Sequence, residues 1–198
     1  MALFLEQLGA NVTGFSLPVE KNRHLLLSLS TRSKIKSVFG NVCDQDALKK
    51  VIQSCDPQIV IHMAAQALVD KSYHFPVDTF ATNVLGTANL LEALRTLPTL
   101  EVVLVVTSDK VYENSDRIGI AFSEESALGG DDPYSASKVA QELVTRAWEK
   151  SFFGDKKTIL ATARAGNVIG GGDFSKSRLV PNIIQSIKNR QTLKLRNP

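Results

Sequence analysis

Cysteine, methionine and tryptophan are scarce in this 198-residue sequence, with two, two and one. Cys43 and Cys55 have no metal-ligand spacing and are too few for a disulfide framework, so no metal is expected and a reducing cytoplasm is the expected setting. No apolar run approaches the ~18 residues of a membrane span, and the N-terminal stretch carries Glu6 and no basic lead, unlike a signal peptide. An excess of one charge is also missing: 23 basic and 20 acidic residues, well mixed, give +3, so neither nucleic acid nor a membrane is the expected partner. One further absence bears on chemistry. No G-x-G-x-x-G or close variant precedes Leu3, so the glycine-rich turn whose amides cradle a dinucleotide pyrophosphate is not found there. The run Gly170-Gly171-Gly172 follows a late strand and opens no helix in that way.

What is present alternates. A helix over 2–8 is followed by a strand over 11–17, a polar stretch with a short helix at 24–29, and a strand over 35–39. Asp44 is placed to cap a helix to about residue 54 with Leu48, Val51 and Ile52 inward. Apolar strands are expected at 58–63, 101–106 and 158–163, with Met63 filling core. Between and after them fall a long helix over 76–97 with Val77, Phe80, Val84, Leu85, Ala88, Leu91 and Leu94 as its apolar positions, a helix from 133 to about 152, and a last helix over 180–188. Continuous apolar strands alternating with helices predict an α/β fold with a parallel sheet, covered on both faces and joined by right-handed crossovers. Ligands of such sheets lie beyond the carboxyl ends of the strands, where Asn41, His62, Ser108, Asp109, Lys110 and Asn167 fall.

The stretch from Val105 to Lys138 carries the chemistry. An apolar strand ends in Thr107-Ser108-Asp109-Lys110, and a helix start follows with Tyr134 and Lys138 four apart, hence on one face. A lysine beside a phenol favours the phenolate and lowers its pKa, giving a base usable near neutrality. Ser108 is placed to hydrogen-bond a substrate oxygen. Taken alone, a Tyr-x-x-x-Lys pair is far more often solvated surface than catalytic. His62 reads as a satisfied buried histidine, and Trp148, Phe152 and Phe153 as buried helix face or dimer contact.

The chain resembles the extended short-chain dehydrogenases/reductases, and within them the CDP-glucose 4,6-dehydratases. The resemblance rests on His62-Met63-Ala64-Ala65-Gln66, Thr82-Asn83-Val84-Leu85-Gly86-Thr87, Thr107-Ser108-Asp109-Lys110-Val111-Tyr112-Glu113-Asn114, Asp132-Pro133-Tyr134-Ser135-Ala136-Ser137-Lys138 and Ala163-Arg164-Ala165-Gly166-Asn167-Val168-Ile169-Gly170-Gly171-Gly172-Asp173, continued by Arg178-Leu179-Val180-Pro181. It covers essentially all 198 residues. It implies a Rossmann-like doubly wound parallel sheet that lacks its first, central strand and glycine-rich turn, and most of the C-terminal substrate domain, so a truncated domain is the expectation.

By resemblance, Tyr134 takes the 4-hydroxyl proton of a nucleotide sugar, Lys138 binds the nicotinamide ribose and holds the phenolate, and Ser108 hydrogen-bonds the 4-oxygen. Asp109 is the candidate acid for the 6-hydroxyl. Lys110 is the candidate base for C5, provided that Lys138 and desolvation keep it neutral. Asn41 and Val42 would border the adenine of NAD, Ala64, Ala65 and Gln66 would line the dinucleotide, and Arg164 and Val168 would lie near the nicotinamide and the sugar. Asn83 resembles a family residue behind the site. Asn167 and Arg178 are the candidates for the substrate diphosphate. A homodimer through the helices at about 75–97 and 133–152 is implied. Two alternatives stay open: another sugar-nucleotide dehydratase or epimerase, and a non-catalytic fragment unable to bind NAD.

Overall fold

The structure, a computed structural model, describes residues 1–18, 33–113, 119, 121–154, 157–173, 175, 178–193 and 195. The helix expected at 24–29 and Asn114 lie outside them. In chain order the elements are α1 (Ala2–Gln7), β1 (Thr13–Ser16), β2 (Lys36–Phe39), α2 (Gln45–Cys55), β3 (Ile59–His62) and α3 (Val69–His74). Helix α4 runs through Pro76–Phe80, a π-helical turn at Ala81–Leu85, and Gly86–Leu94. Then come β4 (Val102–Val106), a 3-10 turn at Asp109–Val111, α5 (Pro133–Trp148) with a π-helical end at Glu149–Phe153, β5 (Ile159–Ala163) and α6 (Leu179–Asn189).

All strand pairing between these elements is parallel: β1 with β2, and β3 with β4 with β5. Among the described residues no ladder joins the pair to the triplet. The expected parallel α/β sheet is therefore present in two pieces among the described residues. Val103 and Val105 of the central β4 are fully buried and meet Leu48 and Ile52 of α2, Leu90, Leu91 and Leu94 of α4, Leu160 of β5 and Phe153 in one core. Burying such side chains contributes ~1.5–3 kcal/mol each.

Coverage of the outer strands is thinner than the apolar runs predict. Ile59 and Ile159, which open β3 and β5, are each 62% exposed, and Met63, expected in the core, is exposed. Each stands at a strand end, beyond the reach of the helices that cover β4. Helix α4 departs further from its sequence pattern. Its buried side is Thr79, Asn83, Thr87, Leu90, Leu91 and Leu94, whereas Val77, Phe80 and Leu85 face outward. The buried side runs on through the π-helical turn, which contributes Asn83 to it.

Candidate active site

Three carboxyl-terminal strand ends and two helix faces converge here. Beyond β4 the chain makes its 3-10 turn, capped by Ser108, whose Oγ accepts from the Lys110 amide and donates to Asp109 Oδ1, both at 3.2 Å. The turn is tied to the segment after β5, because the Asp109 amide donates to the Ala165 carbonyl at 3.0 Å. Facing it is the start of α5. Asp132 accepts from the amides of Tyr134 at 2.8 Å and Ser135 at 3.0 Å, while Ser135 Oγ returns to the Asp132 amide, completing a capping box with Pro133 at the first helical position. This cap fixes where Tyr134 enters the site. Gly130 lets the approach occur, since a Cβ there would lie 2.6 Å from the Ala136 nitrogen.

Tyr134, Ser108 and Lys138 are all buried, at 8%, 6% and 3% exposure. The Ser108 side chain lies close enough to the Tyr134 hydroxyl to pull its pKa down. Burial pushes the Tyr134 hydroxyl above the usual phenol range, outweighing the downward pull of Ser108 and of the Arg178 charge, while Asp109 and Asp132 push it further up. The expected lowering of Tyr134 by Lys138 is corrected on this point: the ammonium is turned to the Val106 carbonyl at 3.3 Å and to Gln141 Oε1 at 2.9 Å. Burial in turn lowers Lys138 to about 8. Lys110 is exposed, as is Asp109, so the desolvation invoked to neutralise Lys110 is absent.

Behind this pair lies a buried polar layer. Asn83, in the π-helical turn, accepts from the Gln66 amide at 2.8 Å and donates to the Gln66 carbonyl at 3.1 Å and to Ser137 Oγ at 2.8 Å. It thus fixes the loop after β3, with Ala64, Ala65 and Gln66, against α5. His62 bonds Thr87 Oγ1 at 3.0 Å, the satisfied buried histidine expected, and burial together with the Lys138 charge lowers it to about 4. Asn41 and buried Val42 follow β2, held by Asn89, whose amide donates to the Val42 carbonyl at 3.2 Å. Gly86 allows the contact, because a Cβ there would meet Val42 Cγ2 at 2.7 Å.

Arg164, expected near the nicotinamide, makes its contacts within the protein. Its guanidinium pairs with Glu142 at 3.3 Å, donates to the Glu124 carbonyl at 3.0 Å and lies over the Tyr112 ring at 5.0 Å. Its donors are thereby committed to a buried carboxylate that also accepts from Thr107 and Thr162. Asn167 and Val168 follow β5 on an exposed loop, and Arg178 is close enough to act on the Tyr134 hydroxyl while pairing with Asp173 at 3.4 Å. Residues that sequence reasoning passed over, Gln141 and Glu142, sit three and four positions after Lys138. A glutamine and a glutamate on the buried face of a helix whose Tyr and Lys are already singled out were the available signal.

Comparison with known proteins bears on this arrangement. Residues 1–197 match the family model described as GDP-mannose 4,6 dehydratase. The chain belongs to that family. It is 40% identical over 203 residues to a CDP-glucose 4,6-dehydratase of Salmonella typhimurium, covering 100% of this chain and 56% of that protein. It is 30% identical to a dTDP-D-glucose 4,6-dehydratase of Dictyostelium discoideum over 77% of this chain and 36% of that one. Among solved structures, a dTDP-glucose 4,6-dehydratase of Streptomyces venezuelae with NAD bound superposes with a TM-score of 0.81 at 26% identity, over 97% of this chain and 60% of that one. The Rossmann-type fold of the extended short-chain dehydrogenases/reductases is therefore shared. The chain spans a little over half the length of the Salmonella and Streptomyces relatives.

Proposed function

We propose that this chain carries the catalytic centre of a CDP-glucose 4,6-dehydratase that uses NAD and yields CDP-4-keto-6-deoxyglucose. The observation behind this is the buried Ser108 and Tyr134 brought close together, with Asp109 bonded to Ser108 and Lys138 buried one helical turn away. The arrangement fits the nicotinamide end of a dinucleotide: two of the three Lys138 N–H groups are used within the protein and one is left for a ribose hydroxyl. Asn41 and Val42 at the adenine end, and Ala64, Ala65 and Gln66 along the loop that Asn83 fixes, complete the residues that would hold it. A bound NAD supplies reversible oxidation at the sugar.

Tyr134, deprotonated, takes the 4-hydroxyl proton while Ser108 donates to the 4-oxygen. Its raised pKa makes the phenolate costly in the empty site, and the free Lys138 N–H is what is left to stabilise it once substrate orders the site. The carbonyl at C4 acidifies the C5 proton. Lys110, exposed in the free chain, takes that proton once bound substrate covers it and strips its water, and Asp109 protonates the departing 6-hydroxyl, so that water is lost across C5–C6. Arg178 offers a planar fork to the diphosphate, with Asn167 beside it. Arg164 acts here as a strut for the Ser108 turn.

We assign the partner as a second copy of the chain, docked through the outward apolar side of α4 and α5, where Val77 is 79%, Phe80 39% and Leu143 54% exposed. Among the described residues no helix is long and apolar enough to cross a membrane. Two free thiols, Cys43 and Cys55, fit a reducing cytoplasmic setting. The direct test is incubation with CDP-glucose and NAD, with mass detection of water loss. Appearance of a 4-epimer without water loss would favour the epimerase reading instead.

A further inference from the structure

We infer that Gln141 is a positioning residue for Lys138: its side-chain amide, locked from behind by Thr87, orients the ammonium so that one N–H faces the reacting groups. The inference rests on the reading of Tyr134 and Lys138 as the dehydratase centre. Gln141 and Thr87 are both fully buried, so water cannot substitute for either. Lys138 carries three N–H donors and no acceptor. One goes to the Val106 carbonyl at 3.3 Å and one to Gln141 Oε1 at 2.9 Å.

The polarity of every bond behind Gln141 follows from Thr87. Its hydroxyl hydrogen is committed to the Asn83 carbonyl at 2.7 Å, leaving its lone pairs to accept. Gln141 Nε2 therefore donates to Thr87 Oγ1 at 2.8 Å, which forces Oε1 toward Lys138. His62 Nε2 lies 3.0 Å from the same oxygen and must donate too, so its proton sits on Nε2. Asn83 in turn is anchored to Ser137 Oγ and to both backbone groups of Gln66. The amide of Gln141 has one orientation that satisfies this chain, and in it the acceptor points at the ammonium. A flipped amide would set two donors, Gln141 and Lys138, against each other.

The groups facing the ammonium are few. From β3 there is His62, which burial keeps neutral near pH 7; from α5 itself there is the Gln141 amide, and from β4 the Val106 carbonyl, both uncharged. An acceptor at Gln141 stabilises the charged form of Lys138 against the burial that opposes it.

The test is titration of the Lys138 ammonium by nitrogen-15 NMR of lysine-labelled protein, its signal assigned by its loss in Lys138→Arg. In Gln141→Met the midpoint is expected to fall below that of the unaltered protein, and in Thr87→Val, which keeps Gln141 but removes the oxygen that locks its amide, to fall as well. A glutamine that only filled space would leave the midpoint unmoved in both, and that result overturns the inference. Thr87→Val decides it even if Gln141→Met does not fold. In turnover with CDP-glucose and NAD, Gln141→Met is expected to lower kcat about ten-fold, the scale of one hydrogen bond to a charged group, with KM for the sugar nucleotide unchanged. Shifted midpoints in a protein that turns over no sugar nucleotide would overturn the proposed function and leave the Gln141 assignment standing.

Discussion

Replacing Glu142 by alanine perturbs the site without touching any group proposed to meet the substrate. Glu142 is buried, with its side chain 7% accessible, and that of its partner Arg164 is 15% accessible. Its two oxygens accept from the Arg164 guanidinium, from Thr107 in the residue before Ser108, and from Thr162 of β5 at 2.9 Å. The carboxylate therefore ties α5 to the ends of β4 and β5. Its removal leaves a guanidinium with little access to water and the Thr162 hydroxyl short of an acceptor, while Thr107 keeps the Ala163 carbonyl at 3.3 Å. Breaking one side of such a buried pair costs about 3–5 kcal/mol. That is a large share of the ~5–15 kcal/mol that holds a typical domain folded. Urea unfolding measures the loss, and the double variant Glu142→Ala/Arg164→Met is expected to recover part of it, with a coupling of about 0.5–3 kcal/mol. A loss under about 1 kcal/mol for Glu142→Ala, with no coupling to Arg164, would refute the strut.

Four further outcomes are expected. His62 is lowered to about 4 from an unperturbed 6.5, so the unfolded chain binds the proton first; stability is full above pH 6.5 and falls as pH drops toward 4, by roughly 3 kcal/mol, a slope that His62→Gln should abolish in pH-dependent unfolding. Lys138, lowered to about 8 from 10.5, destabilises the fold fully below pH 8, and its contribution makes stability rise between pH 8 and 10.5; Lys138→Met should remove that rise. Asp132→Ala should cost about 1 kcal/mol through the lost cap and should lower kcat through the displaced Tyr134, read by unfolding and turnover together. Val77→Glu with Phe80→Glu should turn a dimer into a monomer in sedimentation while leaving the fold unchanged by circular dichroism; a dimer that persists would move the interface elsewhere.

Strand–helix alternation and the strand ends could be read from the sequence because burial of β4 on both faces leaves a continuous apolar run. Asp44 and Asp132 could be read for a local reason, since a cap needs only its own turn. Helix α4 could not. Its 3.6-residue pattern correctly marks an apolar side, but a pattern does not say which side meets the core, and here Val77 and Phe80 point outward while Thr79, Asn83 and Thr87 point in. Those inward polar groups are costly unless each finds a partner, and their partners lie on β3, α5 and the loop after β3, far away in sequence. Distance also hid one neighbour of Lys138, the Val106 carbonyl 32 residues back, whereas Gln141 lies three residues on and was overlooked. The spacing of Lys138 from Tyr134 suggested a direct electrostatic pair, whereas Gln141 and the Val106 carbonyl claim the ammonium. The ion pair of Arg164 with Glu142 was hidden in the same way, since 22 residues separate them.

The central claim is that Ser108, Asp109, Lys110, Tyr134 and Lys138 form a 4,6-dehydratase centre. Incubating the protein with CDP-glucose labelled with deuterium at C4, together with NAD, and analysing the product by mass spectrometry tests it most directly. The account predicts loss of one water with the deuterium moved to C6, and no product from Tyr134→Phe. Unchanged CDP-glucose, or a product that has lost water with its label still at C4, would contradict it.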